Sequence, residues 1–255
     1  MFTSEYPMIG SLVQELSDKI LESLNEELLG LYIFGSLIMG DFEPDRSDLD
    51  LLTIVEHDIN EQRLDNLRKM HTEFIEKYPQ WDHRIEVAYV PLEGMKTFKT
   101  QTCKIVRISP GEPIHFRDMD VDWLMVWCMV QEHGTVLFGP RPDVFIPHIT
   151  QQEFIDSLKN YLPEWLEAGK RDDRLAYQSY IILSLCRSMY VFAHGEQRSK
   201  VKAANWAKER YPQWSQLIDN ALHWKDSQDL SRSPSAQILT EQFINFVLSE
   251  AEPGI

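Results

Sequence analysis

Apolar residues run along this chain in two rhythms. Leu12, Val13, Leu16, Ile20, Leu24 and Leu28 recur every three or four positions, which predicts an amphipathic helix ending near Gly30. Two short apolar runs follow, Leu31 to Phe34 and Leu51 to Val55, each of the length and composition of a buried strand. A second helix is predicted over 63–77, with Leu64, Leu67, Met70 and Phe74 on its inner face. From Arg84 to Val90 the chain alternates as a strand does, with Ile85, Val87 and Tyr89 on one side and Glu86, Ala88 and Val90 on the other. Val121 to Glu132 reads as a helix and Thr135 to Phe138 as a short strand closed by Gly139 and Pro140. This mixture predicts an α/β fold for the N-terminal half.

Beyond residue 150 the strand rhythm fades. Gly139, Pro140, Pro142 and Pro147 interrupt regular structure, which sets a domain boundary near residue 150 and divides the chain into 1–150 and 151–255. Helical spacing then dominates, at Phe154, Leu158, Tyr161, Leu162 and Trp165, from Tyr180 to Phe192, from Ala203 to Arg210 and from Ile238 to Leu248. A bundle of about five helices is expected there. Most tryptophans, among them Trp123, Trp127, Trp165, Trp206 and Trp214, fall on apolar helical positions and read as core.

With 255 residues, 43% of them hydrophobic, the chain can bury the cores of two modest domains. Its formal charge of −15 argues against a general nucleic-acid binder, which needs concentrated Lys and Arg. The same charge suits a cationic ligand, although it also simply favours solubility. Cys103, Cys128 and Cys186 are far apart and in no ligand spacing, so reduced thiols are expected and neither a disulfide framework nor a zinc site. Met1 to Tyr6 show no basic leader with an apolar core, and no apolar run approaches the roughly 20 residues of a membrane span. A non-exported, cytoplasmic protein that avoids membranes and acts as a monomer is expected.

The candidate chemistry lies between the first two strands. Gly35 and Ser36 follow one apolar run, and Ser47, Asp48, Leu49 and Asp50 open the next after a gap of ten residues. Residues two apart on a strand face the same way, so Asp48 and Asp50 would present two carboxylates together. Two such carboxylates suit Mg²⁺, which is commonly held by one or two acids and the phosphates of a substrate. Asp50 sits inside an apolar run, where an unpaired carboxylate is costly, and this favours ligation over a solvated loop acid. The Gly-Ser turn would let backbone amides and the Ser36 hydroxyl approach a phosphate. Glu86 is a further acid among apolar strand residues, an exception to the strand pattern.

The spacing of Gly35, Ser36, Ser47, Asp48 and Asp50 is similar to the signature of the nucleotidyltransferase superfamily, which includes polymerase-beta-like enzymes. Three later segments, Val136 to Pro140, Leu183 to Tyr190 and Ser199 to Ala207, resemble the aminoglycoside adenylyltransferases of the streptomycin and spectinomycin resistance type. The resemblance runs nearly end to end. It implies a mixed-sheet nucleotidyltransferase domain over 1–150 and an all-α domain over 151–255, with ATP as co-substrate, Mg²⁺ on Asp48 and Asp50, and a cationic drug as acceptor in a cleft between the domains. It further implies that Gly35, Ser36 and Ser47 bind the nucleotide and that Arg187 and Lys200 reach its phosphates, with Lys202 a neighbouring candidate. Glu86 matches the third carboxylate, general base on the acceptor hydroxyl, and Asp173 matches an acidic drug contact.

The chain also departs from the streptomycin-modifying pattern. Pro113 follows Gly111 and Glu112 where those proteins carry a tryptophan, Tyr177 and Tyr180 replace an acid and a small polar residue or histidine, and Ala168 stands where a tryptophan is common. Spectinomycin, another aminocyclitol or a different small alcohol thus remain open as acceptors. Two other readings are a same-fold enzyme acting on a metabolite or protein hydroxyl, and a non-catalytic nucleotide-binding regulator; the intact Asp pair with Glu86 favours an enzyme.

Overall fold

The computed structural model describes residues 5–119, 123–224 and 231–251. The chain divides into two compact units, Met1–His148 and Ile149–Ile255.

In the first unit, α1 (Pro7–Leu24) begins on a proline, whose missing N–H costs nothing in a first helical turn. It buries Leu12, Val13, Leu16 and Ile20 on one stripe. The helix stops six residues short of Gly30, because Asn25 turns to a positive φ of 48°. Leu28 and Gly30, expected at the helix end, belong instead to strand β1 (Leu28–Phe34), where they pair with Val55 and Ile54 of β2 (Leu49–Val55). A four-residue helix, α2 (Ser36–Met39), follows β1 directly. The crossover helix α3 (Glu61–Lys77) is capped by Asn60, whose side chain accepts from the Arg63 amide at 3.0 Å, and leads to β3 (Ile85–Pro91).

The short α4 (Leu92–Thr97), strands β4 (Cys103–Ser109) and β5 (Glu112–Met119), α5 (Leu124–His133) and β6 (Thr135–Phe138) complete the unit. Val121, the expected start of α5, lies outside the described residues, as do Met1 to Ser4 of the expected leader-free terminus.

The six strands form one mixed sheet in the order β5-β4-β3-β2-β1-β6, in which β2 and β3 run parallel and the other neighbours antiparallel. The parallel pair needs a long crossover, and α3 supplies it. One face of the sheet, with Leu31, Ile33, Leu49, Leu51, Val87 and Tyr89, packs on α1 and α3 in a single core. The opposite register positions, with Asp50, Leu52, Glu86 and Ala88, turn to the other face, where α4 packs on β2, β3 and β4 and α5 on β1. β4 and β5 carry no clean apolar alternation, since Lys104, Arg107, Arg117 and Asp118 interrupt it, and periodicity did not reveal them. Their hairpin turns at Pro110 and Gly111, with Gly111 at φ +76°. Pro113 is tolerated because β5 is an edge strand.

The second unit is helical throughout its regular elements: α6 (Gln151–Arg171), α7 (Leu175–His194), α8 (Lys200–Arg210), α9 (Ser215–Trp224) and α10 (Pro234–Ala251). Thr150 and Glu153 close a capping box at the start of α6. Residues 181–186 of α7 are all buried, which marks it as the central helix, packed by the other four. α9, which no distinct apolar stretch announced, seats Leu217, Ile218 and Ala221 in the same core. Trp165 is buried there and Trp206 and Trp214 are half-buried against it, while Trp123 and Trp127 belong to the core of the first unit. Among the described residues no helix is long and apolar enough to cross a membrane.

Candidate active site

The strand order decides which acids meet. Antiparallel pairing sets Phe34, the last residue of β1, opposite Asp50, and parallel pairing sets Asp50 opposite Glu86. Paired strands lie about 4.8 Å apart, so Asp50 and Glu86 rise side by side from one face of the sheet. On each of β2 and β3 the acid is the sole residue that is not buried. Asp48 stands just before β2, two residues from Asp50 and half-buried. The chain therefore presents its three acids at the same end of two parallel strands.

Gly35 is fixed by this arrangement. It adopts φ +75°, and a Cβ there would run into the carboxylate of Asp50. Only glycine lets the β1 to α2 turn pass so close to the acid. Ser36 follows as the first residue of α2, half-buried beside Gly35. The Ser47 hydroxyl accepts from the Glu43 amide at 2.9 Å, and the Ser47 amide donates to the Glu43 carbonyl at 2.8 Å, so Ser47 also ties the turn leading to Asp48.

Beneath that turn lies Arg84. It is 7% exposed, stacks 4.2 Å from the Trp81 ring, and donates to the carbonyls of Pro44 at 2.6 Å and Ser47 at 2.7 Å. Burial pushes its pKa down, and the attraction of Asp48 and Asp45 opposes this. Its own carbonyl accepts from the Leu49 amide at 2.9 Å. Arg84 thus holds both ends of the loop that delivers Asp48.

Glu86 is engaged from the other side. Arg107 on β4 donates from Nη2 to Glu86 Oε1 at 2.8 Å, with the two side chains 19% and 24% exposed. Asp48, Asp50 and Glu86 do not converge into one triad: among the described residues, the acid and histidine atoms close enough for that are those of Glu27, Glu56 and His57, elsewhere in the unit. Asp48 and Asp50 nevertheless fit a divalent cation of the Mg²⁺ type. They are hard oxygen donors two residues apart at the start of β2, and neither is fully buried.

In the second unit, Arg187 on α7 donates to Gln197 Oε1 at 3.3 Å. Lys200 opens α8 behind its capping Ser199 and holds its ammonium 5.5 Å from the Tyr180 ring. Tyr180 and Arg187 are two turns apart on α7, so the segment between α7 and α8 brings both cations to one face of that helix. The amide of Lys202 donates to the Ser199 hydroxyl at 3.4 Å. Asp173 accepts from Arg232 at 2.8 Å, and its carbonyl accepts from the Ser233 amide, stitching the α6 to α7 turn to the segment before α10.

The chain has recognisable relatives among known proteins. Residues 17–109 match the nucleotidyltransferase domain, and residues 144–250 match the C-terminal domain of aminoglycoside adenylyltransferases. The chain thus carries a nucleotidyltransferase domain followed by an aminoglycoside adenylyltransferase C-terminal domain. Among its curated relatives are an aminoglycoside (3'') (9) adenylyltransferase of Escherichia coli, 22% identical with 95% of this chain and 94% of that protein covered, and a spectinomycin 9-adenylyltransferase of Campylobacter jejuni, 26% identical with 83% of each covered. A crystal structure of a spectinomycin adenyltransferase from Enterococcus faecialis with ATP and spectinomycin superposes with a TM-score of 0.75, at 19% identity over 94% of this chain and 98% of that one, and shares its fold.

In this chain, Asp48, Asp50, Glu86, Gly35, Ser36 and Ser47 gather at one end of the sheet. Arg187, Lys200 and Asp173 lie in the second unit, each already held by a partner of that unit. Two residues of the site were not foreseen. Arg84 reads from the pattern only as the start of a strand, although a lone arginine entering an apolar run is itself a signal. Arg107 had no signal, because β4 was not recognised.

Proposed function

We propose that this enzyme transfers AMP from ATP to a hydroxyl of an aminocyclitol or aminoglycoside, with spectinomycin the first acceptor to try. The observation that carries this reading is the register that sets Asp50 beside Glu86 at the end of two parallel strands, in a chain that matches the nucleotidyltransferase domain and the aminoglycoside adenylyltransferase C-terminal domain. The names of its relatives supply the acceptor class, and the charge of −15 suits a cationic one.

Gly35, Ser36 and Ser47 would bind the triphosphate, and Arg187 and Lys200 are proposed to contribute positive charge to its phosphates. Asp48 and Asp50 would hold Mg²⁺, which when bound neutralises charge on the triphosphate. Glu86 takes the proton of the acceptor hydroxyl as its oxygen attacks the α-phosphorus. The bond between the α-phosphorus and the bridging oxygen breaks, and pyrophosphate leaves with that electron pair. The Oε1 atom of Glu86 is bonded to Arg107, so Oε2 is the atom for this proton. Asp173 is proposed as a contact for a positively charged group of the acceptor.

The test is incubation of the purified protein with ATP, Mg²⁺ and a panel of aminocyclitols and aminoglycosides, with mass spectrometry of each. One acceptor gaining the mass of AMP, with pyrophosphate released, is the expected result. Glu86→Gln is expected to bind ATP as the unaltered protein does while losing transfer by about 10²-fold or more; undiminished transfer would remove Glu86 from the chemistry.

A further inference from the structure

Arg107 touches the proposed base, yet it belongs to neither the motif nor the expected phosphate contacts. It pairs across β4 and β3 with Ala88, so its side chain rises from the same face as Glu86, two residues earlier on β3. Alanine at position 88 offers the guanidinium a low crossing, and Nη2 reaches Glu86 Oε1 at 2.8 Å. On the other flank, the guanidinium carbon lies 5.3 Å from the Trp123 ring, which stacks at 5.5 Å on the fully buried Trp127. The cation is therefore braced between a carboxylate and an aromatic wall. Its Nε is buried and makes no hydrogen bond to the described residues. Leaving a buried donor unmet opposes stability, and an arginine kept there at that cost points to a task at Glu86.

We propose that Arg107 is a positioning residue for the general base: it fixes the Glu86 carboxylate through Oε1 and turns Oε2 toward the acceptor hydroxyl. This rests on the adenylyl-transfer reading above. A glutamate has three rotatable side-chain bonds, and one charge-assisted hydrogen bond from a braced guanidinium removes most of that freedom before the acceptor arrives. The proton still goes to Glu86, and Arg107 neither gains nor loses one.

Kinetics with ATP and spectinomycin, or whichever acceptor the panel identifies, tests this in Arg107→Met and Arg107→Lys. Arg107→Met is expected to lower kcat by about 10- to 100-fold while leaving the KM for ATP within about twofold. Arg107→Lys is expected to recover part of kcat, since its ammonium can reach Oε1 but cannot hold the carboxylate in a plane. An unchanged kcat in Arg107→Met overturns the proposal, as does an Arg107→Lys enzyme no better than Arg107→Met. Thermal unfolding of Arg107→Met, Glu86→Met and the double variant is an activity-independent check. The double variant should lose less than the two single losses combined, and additive losses would show that the pair does not form. If the unaltered protein modifies no acceptor, the functional reading falls and takes the positioning role with it, while the unfolding cycle still decides whether the pair exists.

Discussion

The two units of this protein hold their candidate site residues by different physics. In the first, backbone ladders place the acids: β2 and β3 are hydrogen-bonded in register, so Asp50 and Glu86 can neither slide nor turn away without breaking the sheet. In the second, Arg187 and Lys200 project from a helix face and a helix start, and side-chain contacts to Gln197 and Tyr180 position them. Long cations of this kind swing by rotamer changes without disturbing a helix. Groups proposed to stay at the reacting atoms thus come from the register, and groups proposed to follow a nucleotide come from flexible side chains.

The largest effect should come from the acids of the first unit. Asp50→Asn or Asp48→Asn is expected to lower AMP transfer by about 10³-fold with the fold intact by circular dichroism. The comparison would be broken if Arg187→Gln or Lys200→Gln cost as much.

A second contrast is acid sensitivity. The first unit buries His71, bonded through Nε2 to the Tyr89 hydroxyl at 2.7 Å, and burial pushes its pKa down from 6.5 to about 4. The described histidines of the second unit, His194 and His223, are exposed. As pH falls below 6.5 the unfolded chain takes up a proton that the folded first unit refuses until about pH 4. This contribution to stability is therefore full above the unfolded pKa and is lost on acidification through the folded one, on the order of 3 kcal/mol. Hydrogen exchange against pH reads the units separately and should show the first unit opening earlier in acid, with His71→Gln flattening that slope. Equal acid responses would remove the contrast.

The smallest effect concerns Asp173. Its partner Arg232 has a side chain 68% exposed, so Arg232→Gln should change stability by no more than about 1 kcal/mol, read from the urea midpoint. A larger loss would mean that this contact, like those of the first unit, is a structural fixture.

Much of the site was legible because its residues break local rules. An acid inside Leu49 to Val55 and another between Ile85 and Val87 conflict with apolar strands, and such conflicts gather at functional sites. Strands β1, β2 and β3 were legible for the same reason, being apolar enough to bury. Strands β4 and β5 were not, because at and near the sheet edge their charged residues face water or the site and erase the alternation. The end of α1 was misplaced because Leu28 satisfies both a helical stripe and a strand, and pairing with β2 settles which one forms.

The sequence by itself determined the α/β and all-α halves, the Gly-Ser and Asp-x-Asp spacing and the presence of a third acid, since each follows from neighbours within a few residues. The tertiary structure decided that Asp50 and Glu86 stand side by side, that Gly35 yields its space to Asp50, that Arg84 holds the loop before Asp48 and that Arg107 pairs with Glu86. Those facts depend on which strands pair and in what register, which is set by long-range burial that local spacing does not encode.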